Sequence, residues 1–364
     1  MADVLTRDAL SRATLARQML LAREKTTVLR AVERLAGLQA QLARPPFIGL
    51  WSRVAGFRAE DLARLAHQRK VVRATLMRGT LHLMTTKDYL ALRPALQPML
   101  SAGLEGVLGD RAKGFDLVGV TATARATLDE QPRTFEDLRV ALGKAWPGLD
   151  VRALGYAVRT HLPLVQVPAE TRWGWPGAAS FAVAESWIGR TMGKGAGAVA
   201  LVLRYLGAFG PASIRDAQAW SGMRSLADAF AALRPKLKVF HNEKGRELFD
   251  LPKAPRPPAR TAAPVRFLPD YDNLLLAHAD RTRVVADAHR ARLATKNLQV
   301  LPTFLVDGFV AGSWKIERAR SSAALVLAAF ESLSRKAKAD LTGEGTALLR
   351  FVESDAKSAE VRFS

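Results

Sequence analysis

Apolar residues recur at three- and four-residue spacing over residues 6–24 and 26–43, and this period predicts two amphipathic helices near the start of the chain. Thr26 and Thr27 provide N-cap side chains for the second helix. Residues 58–68 repeat the helical spacing and predict a third helix.

The pattern then changes to the β-type composition of strands. Residues 71–76 and 80–84 predict a hairpin, and residues 77–79 form its turn. The order helix, helix, helix, hairpin is that of a winged helix.

The same plan recurs along the chain at a spacing of roughly 90 residues, which is longer than the 20–50-residue units of solenoids. The second copy has predicted helices over 121–128, 135–145 and 151–160 and strands over 165–167 and 181–183. The third copy has helices over 197–206, 214–220 and 225–233 and hairpin strands over 236–240 and 247–250.

A proline-rich, basic stretch over residues 252–264 predicts a linker. Beyond it the composition favours strands, over residues 265–268, 284–286, 303–306 and 310–314. Asp307-Gly308 lies between two apolar runs, which is a strong hairpin signal. Residues 334–352 predict a helix that is broken near 343–345.

These patterns predict an α+β fold with three tandem winged-helix modules and a C-terminal β-rich, half-barrel-like domain. The predicted bounds are 1–105, 106–195 and 196–251 for the modules, 252–264 for the linker and 265–364 for the last domain.

The charge balance indicates what kind of partner the protein binds. The chain has 54 Lys and Arg against 34 Asp and Glu, a formal net charge of +20. Such an excess in a folded protein favours a polyanionic partner, of which nucleic acid is the commonest. The alternative is a compositional drift toward Arg on the surface.

The composition also excludes several kinds of site. Without cysteine the chain has no disulfide, thiolate zinc site or cysteine nucleophile, and its six histidines do not pair at a metal-ligand spacing. No apolar leader and no run of about 18 apolar residues occurs. We therefore expect a soluble cytoplasmic protein with no metal, no organic cofactor and no membrane partner.

Gln39-Ala40-Gln41 is the main candidate for chemistry, at the predicted end of the second helix and shortly before Pro45-Pro46. Two residues apart on a regular helix point about 200° away from each other, so the helix must end or distort for both amides to serve one water. The alternative is that the glutamines cap the helix or bridge two modules.

Five stretches of this chain resemble the winged-helix proteins that include the AlkZ-like and YcaQ-like bacterial DNA glycosylases. They are residues 37–41, 50–53, 77–82, 268–275 and 306–314. The Gln-apolar-Gln motif is that of the AlkZ-like branch, since the YcaQ-like branch has an acidic second position.

This resemblance implies excision of bulky alkylated bases and unhooking of interstrand crosslinks, with Gln39 and Gln41 as catalytic residues. The implied partner is double-stranded DNA that is alkylated or crosslinked. We expect a monomer associated with the nucleoid.

The chemistry suits neutral amides. Purines alkylated at N7 or N3 carry positive charge and leave easily, so the enzyme mainly places a water and stabilises the separating charges. A glutamine carbonyl can accept a proton of that water, and a second amide can orient it.

Residues of the first module supply candidate DNA contacts beside the motif. Arg78 at the hairpin tip could reach a phosphate or a groove edge, or it could be a solvated turn residue, and Thr80 is a further candidate DNA contact. His82 could contact a lesion, although a lone strand histidine is more typical of a structural role. Trp51 beside Arg53 could support a base, although core packing is the more usual role of such a tryptophan.

Basic residues of the other modules are further candidates. Arg172 and Trp173 near the predicted second wing could track a DNA backbone or pack between modules. Arg224, Lys236 and Lys238 are predicted on the recognition helix and hairpin of the third module, where phosphate contact competes with a solvated face.

Asp270 and Asp272 make a weak metal site because two carboxylates bring too few ligands. We expect them to cap residues 273–277 and to pair with Arg281 or Arg283.

Two other function classes remain open from the sequence. Tandem winged helices also occur in non-enzymatic DNA-binding regulators or architectural proteins. The wings could instead mediate protein contacts.

Overall fold

The computed structural model describes residues 3–112, 114–193, 197–297 and 299–364 of the 364-residue chain. Helices and strands are interspersed, and the strands of the described residues form three sheets. The predicted α+β class is confirmed. No helix in these ranges is long and apolar enough to cross a membrane.

The N-terminal segment contains a hairpin flanked by helices, close to the predicted plan. Its elements are β1 (Val4–Leu5), α1 (Arg7–Arg17), α2 (Val28–Arg34), β2 (Leu38–Gln39), α3 (Pro45–Trp51), α4 (Ala59–His67), β3 (Val71–Thr75), β4 (Leu81–Thr85), α5 (Thr86–Leu92) and α6 (Gln97–Leu108). The predicted third helix and both hairpin strands are confirmed within a residue or two. The first helix is shorter than predicted, because Met19 has a φ of 56°.

The helix predicted over residues 26–43 is wrong beyond Arg34. Ala36 and Gly37 have φ angles of 56° and 84°, which take the backbone out of the helix. A Cβ atom on Gly37 would lie 2.9 Å from the carbonyl oxygen of Leu83, so the chain passes very close to the hairpin at this point. The chain then continues as β2, paired with β4. Tertiary pairing therefore overrides the helical spacing of the sequence.

The second segment confirms its three predicted helices and two strands to within a few residues. It contains α7 (Leu117–Glu130), α8 (Phe135–Ala145), α9 (Val151–His161), β5 (Leu164–Gln166), β6 (Phe181–Val183) and α10 (Ala184–Ile188). Because β5 pairs with β3, the first two segments share one sheet with the order β2-β4-β3-β5-β6. The predicted boundary between residues 105 and 106 falls inside α6, and the one between 195 and 196 lies outside the described residues.

The third segment also follows the predicted helix order and hairpin. Its elements are α11 (Gly197–Phe209), α12 (Ile214–Ser221), α13 (Ala227–Leu233), β7 (Lys238–Asn242) and β8 (Glu247–Asp250). The order of elements in the second and third segments is consistent with winged helices. One pairing was not predicted: β1 from the start of the chain joins β7 in parallel, giving the sheet β1-β7-β8. Residues 252–264 contain no helix or strand.

The C-terminal segment is an open five-stranded sheet with the order β13-β12-β11-β10-β9. Its elements are β9 (Arg266–Leu268), α14 (Asn273–Leu276), β10 (Thr303–Val306), β11 (Phe309–Arg318), β12 (Ser322–Ala329), α15 (Arg335–Val352) and β13 (Ser358–Phe363). Asp307 and Gly308 form the predicted hairpin turn, with φ angles of 46° and 83°. The sheet does not close into a barrel.

Two predictions for this segment were wrong. Residues 284–286 form a turn rather than a strand. The helix α15 continues without a break through residues 343–345. A Cβ atom on Gly345 would lie 2.8 Å from Leu325 and 3.1 Å from Val361, so the glycine allows α15 to lie close against β12 and β13. The glycines signal close packing here, not a break.

The N-terminal segment is anchored on the C-terminal sheet. Ile48 of α3 is fully buried in the same apolar cluster as Phe267 and Trp314 of that sheet. Ser52 donates a hydrogen bond to the carbonyl oxygen of Phe267 at 2.5 Å. This contact brings the residues that follow β9 next to β2, and so next to the glutamine motif.

Candidate active site

The glutamine motif begins at the end of a strand and continues into a bend at Gln41, so it does not lie at a helix end as the sequence predicted. Gln39 is the last residue of β2 and pairs with His82 of β4. The backbone N–H of Ala40 donates to the carbonyl oxygen of Leu81 at 2.7 Å, so the pairing continues past the strand end. The motif is therefore not helical, and the separation of about 200° that a regular helix would impose on the two amides does not apply.

Each amide oxygen of the motif accepts a hydrogen bond from a fixed donor. Arg78 Nη2 donates to Gln39 Oε1 at 2.7 Å, and the backbone N–H of Leu81 donates to Gln41 Oε1 at 3.3 Å. A guanidinium and a peptide N–H can only donate, so these contacts fix which amide atom is oxygen. Within the described residues, neither Nε2 group has a protein acceptor. Both amides thus keep their donor groups available.

Arg73 of β3 binds the backbone of the motif through two hydrogen bonds. Its Nε donates to the carbonyl oxygen of Ala40 at 2.8 Å, and its Nη2 donates to that of Gln41 at 3.2 Å. The guanidinium also lies over the Trp175 ring, 5.7 Å from the centroid. Burial lowers the pKa of Arg73 to about 10, which still leaves it charged at neutral pH.

Asn273 of α14 holds the outer edge of β2. Its Nδ2 donates to the carbonyl oxygen of Gly37 at 2.6 Å, and its Oδ1 accepts from the N–H of Gln39 at 3.2 Å. A single side-chain amide thus satisfies the edge of the strand. Together with Arg73, it holds the motif in one conformation before any substrate binds.

Arg78 links the hairpin tip to the third segment. Its backbone is left-handed, with a φ of 56°, and its Nη1 donates to the carbonyl oxygen of Trp220 in α12. A Cβ atom on Gly222 would lie 3.0 Å from the Cα of Arg78, so glycine permits this approach. Burial, reinforced by the charge of Arg281, lowers the pKa of Arg78 to about 10. A half-buried cation therefore stands directly beside Gln39.

His82 is fully buried across the ladder from Gln39, so its ring has no exposed surface with which to contact a lesion in this structure. Its Nδ1 lies 3.0 Å from the carbonyl oxygen of Thr80, which makes Nδ1 the protonated nitrogen. Burial and the charge of Arg78 lower the pKa of His82 to about 3. Thr80 itself bonds back to Met77 within the turn, at 3.1 Å.

Acid is therefore expected to weaken the fold partly through His82. The unfolded chain binds this proton below about pH 6.5 and the folded chain only near pH 3, so unfolding becomes easier as the pH falls through that window. The loss is up to about 1.4 kcal/mol per pH unit. Urea midpoints at pH 6.5 and 4.5 should therefore differ less for His82→Asn than for the wild type.

The exposed His67→Asn is the matched control and should keep the wild-type pH response. His278, whose pKa burial also lowers to about 3, stays in every variant and contributes to the slope that remains. Equal pH responses of the wild type and His82→Asn would contradict the assignment of a neutral buried His82.

Trp51, Arg172 and Trp173 take part in packing between segments. The Trp51 ring stacks on Phe351 of α15 with centroids 6.0 Å apart, and Trp173 meets Phe47 of α3 at 5.2 Å. Arg172 donates to the carbonyl oxygen of Val352 and lies over the Trp173 ring. These contacts favour the packing alternative, and a role in DNA binding stays a prediction.

Arg53 is buried in an ion pair. Its two Nη atoms donate to both carboxylate oxygens of Asp272 at 2.8 and 2.9 Å, and both side chains are 1% exposed. Asp272 also accepts from the N–H of Leu274, so the predicted cap is confirmed. The predicted pairing with Arg281 or Arg283 is wrong, because Arg53 occupies that carboxylate. The placement of Arg53 does not support direct contact with DNA.

Three basic residues of the third segment are exposed. Arg224 lies in the loop before α13 rather than on that helix, Lys236 ends the turn after it, and Lys238 begins β7. Among the described residues, their side chains have no acidic partner. Arg224 follows Gly222 by two positions and is thus near the tip of the first hairpin. Phosphate contact by these residues stays a prediction.

Sequence reasoning missed Arg73 and Asn273, and it predicted only a capping and ion-pairing role for Asp270. Arg73 had a signal, since it is a single charge within the apolar run of residues 71–76. Asn273 had none, because its contacts with β2 join positions more than 230 residues apart in sequence. Among the described residues no cluster of three or more His, Asp or Glu side chains forms a metal site.

Comparison with known proteins gives results that agree with the geometry of the site. Residues 32–351 match the family described as DNA glycosylase AlkZ-like. The chain is 26% identical over 332 residues to an interstrand DNA cross-link repair glycosylase of Streptomyces sahachiroi, covering 82% of this chain and 85% of that protein. The solved structure of the Streptomyces sahachiroi DNA glycosylase AlkZ superimposes with a TM-score of 0.79 at 21% identity, covering 99% of this chain and all (100%) of the other.

Proposed function

The chain belongs to the AlkZ-like DNA glycosylase family, and from that premise we propose that it hydrolyses the N-glycosidic bond of purines alkylated at N7 or N3 in double-stranded DNA. The observation that carries this proposal is the pair of glutamine amides that accept hydrogen bonds from the hairpin of β3 and β4. Their oxygens are fixed by Arg78 and Leu81, and their amide donors are available.

The two amides differ in chemical character. Gln39 accepts from a guanidinium, which polarises its amide and makes its Nε2 a stronger donor and its Oε1 a weaker base. Gln41 accepts only a longer bond from a neutral peptide N–H, at 3.3 Å, and keeps its second lone pair. We assign Gln41 Oε1 as the acceptor of a hydrogen bond from the attacking water and Gln39 Nε2 as the donor that orients this water.

The surrounding cations suit a DNA substrate. Arg73 and Arg78 flank the motif, and the chain as a whole carries a net charge of +20. Such a field attracts the phosphate backbone and holds the sugar against the amides. The alkylated base already carries the positive charge that makes it leave, so no strong acid is needed at the base.

The proposal also covers the range of substrates, the oligomeric state, the cofactors and the location of the protein. The relative named above acts in interstrand cross-link repair, and we propose that a crosslinked duplex is a substrate of this chain as well. We further propose that it acts as a monomer without metal or organic cofactor. A nucleoid-associated location in the cytoplasm follows from a DNA substrate.

The test is base excision on three duplexes that carry N7-methylguanine, a bulky N7 adduct or an N7 crosslink. The expected product is an abasic site that breaks only after alkali, formed equally well in the presence of EDTA. An unmodified duplex is the control. Absence of abasic product from all three duplexes, with DNA binding retained, would favour a non-enzymatic DNA-binding protein instead.

Binding to the same duplexes at several salt concentrations tests the partner separately. The logarithm of the affinity should fall linearly with the logarithm of the salt concentration, by about 0.9 per phosphate contacted. An affinity that does not depend on salt would favour protein contacts as the role of the wings.

A further inference from the structure

A small cavity lies beside β2. Its lining includes Gln39 together with Asp270, Tyr271 and Asn273 from the segment after β9. Its volume is about 10 Å³, which is close to the smallest space that holds one water molecule. The cavity thus joins one of the two motif glutamines to a carboxylate.

Asp270 differs from two other buried aspartates, Asp250 and Asp272. Asp250 and Asp272 each bind an arginine through both carboxylate oxygens. Asp270 is only 7% exposed, and its Oδ2 has no hydrogen-bond partner among the described residues. A buried carboxylate oxygen without a donor is costly and rare in a folded protein. In a chain with 54 Lys and Arg, the lack of a partner for this oxygen among the described residues calls for a reason.

The backbone around Asp270 is held firmly. Tyr271 has a φ of 58°, a conformation that a bulky residue adopts only when its surroundings impose it. The ion pair of Asp272 with Arg53 and the bonds of Asn273 to β2 fix the following two positions. The carboxylate is therefore presented to the cavity from a rigid segment, as a catalytic group requires.

The electrostatic surroundings favour a proton acceptor. Burial raises the pKa of Asp270, while a hydrogen bond from its own backbone N–H, the charge of Arg44 at the start of α3 and a hydrogen bond from the side chain of Gln299 oppose that rise. The opposite charges of Arg53 and Asp272 neutralise each other. The side chain that β2 places in the cavity lining, Gln39, is also neutral. A carboxylate with a raised pKa is a stronger base than an exposed one.

We propose that Asp270 is a further catalytic residue, the general base that takes a proton from the attacking water held beside Gln39. This inference rests on the proposed glycosylase function. The water oxygen bonds to C1′ as the C1′–N bond breaks, and that electron pair neutralises the cationic alkylpurine. The water proton passes to the Asp270 carboxylate and then to solvent. The products are the free base and a hydroxyl at C1′ of an abasic site.

The first experiment compares single-turnover excision by the wild type and Asp270→Asn on N7-methylguanine duplex. We expect the rate to fall by about 100-fold or more. Affinity for a duplex with a tetrahydrofuran abasic analogue should stay within about twofold. Asp340→Asn, on the exposed surface of α15, is the matched control and should excise like the wild type.

The melting temperature separates catalysis from a structural role. Because burial disfavours the charged form of Asp270, the neutral amide should leave the melting temperature unchanged or raise it. A purely structural aspartate would instead lose stability, DNA affinity and excision together. That result, or wild-type excision by Asp270→Asn, would overturn the proposal.

Two further measurements remain decisive even if Asp270→Asn folds poorly. The enzymatic rate of the wild type should fall as the pH is lowered from 7 toward 4.5, and a rate without this acid limb would overturn the proposal. In Asp270→Ala, added formate should restore excision at least tenfold while leaving the wild type unchanged. If the wild type excises no base from any duplex, the proposed function itself fails, which is a different outcome.

Discussion

Replacing both glutamines, Gln39→Ala with Gln41→Ala, is expected to reduce base excision by at least about 100-fold, because the water loses both its acceptor and its orienting donor. Affinity for duplex DNA should change little, since the cations that we propose to contact phosphate remain. The measurement is single-turnover formation of abasic sites on N7-methylguanine duplex, with a parallel gel-shift titration.

Isosteric variants separate the two roles. Gln41→Glu keeps an oxygen acceptor for the N–H of Leu81 and adds a carboxylate, so it should retain more activity than Gln41→Ala. Gln39→Glu keeps the acceptor for Arg78 but loses the amide donor, so it should fall nearly as far as Gln39→Ala. Equal activities for the two glutamate variants would contradict this division of roles.

The control is Gln131→Ala, an exposed glutamine at the end of α7 that should excise like the wild type. Excision that survives in the double alanine variant would show that the motif holds structure only. Loss of both DNA binding and excision in the double alanine variant would indicate that the glutamines cap or bridge the structure. The strand β2 would then no longer be held in position.

Local sequence patterns predicted much of the fold. The hairpin of β3 and β4, the turn at Asp307-Gly308, and the helices α8 and α9 all follow from spacing and turn chemistry within a few neighbouring residues. Such signals are strong because the information lies within one turn of helix or one hairpin. They identified the modules but did not place them relative to one another.

The strand β2 shows why the rest could not be predicted. Its residues continue the apolar spacing of α2, and only the close pairing with β4 and the side chain of Asn273 makes them extended. Those partners are distant in sequence, so no local window contains them. The motif was found by its residues, whereas its geometry depended on contacts that only the folded chain reveals.

The candidate site is assembled from several segments. The motif and Arg78 come from the first, the carbonyl of Trp220 from the third, and Asn273 from the C-terminal one. Each contributes a hydrogen bond to the motif or to the arginine beside it. Correct docking of these segments should therefore matter to excision as much as the glutamines themselves.

The ion pair of Arg53 with Asp272 is the contact on which this docking depends most. It joins the end of α3 to the segment that carries Asn273, and both side chains are 1% exposed. Arg53 also donates to the carbonyl oxygens of Gln18 and Gly49, at 3.1 and 3.0 Å. Removing one partner leaves the other charge buried without compensation, which typically costs about 3–5 kcal/mol.

Asp272→Asn and Arg53→Met are each expected to lower the melting temperature by roughly 6–10 °C, at about 2 °C per kcal/mol for a large chain. The double variant should be less destabilised than the sum of the two, because no unpaired charge remains. The matched control is Lys336→Met with Asp340→Asn, an exposed pair on α15 whose loss should cost about 0.5 kcal/mol or less.

Excision should fall along with stability in the single variants, since Asn273 loses the neighbour that fixes it beside Gln39. Thermal unfolding and single-turnover excision on the same samples measure both effects. If a single variant loses less than about 2 °C, which is under 1 kcal/mol, the pair is not what holds these segments together. The rigidity attributed to the cavity beside β2 would then need another source, because the segment carrying Asp270 is fixed to α3 by this pair.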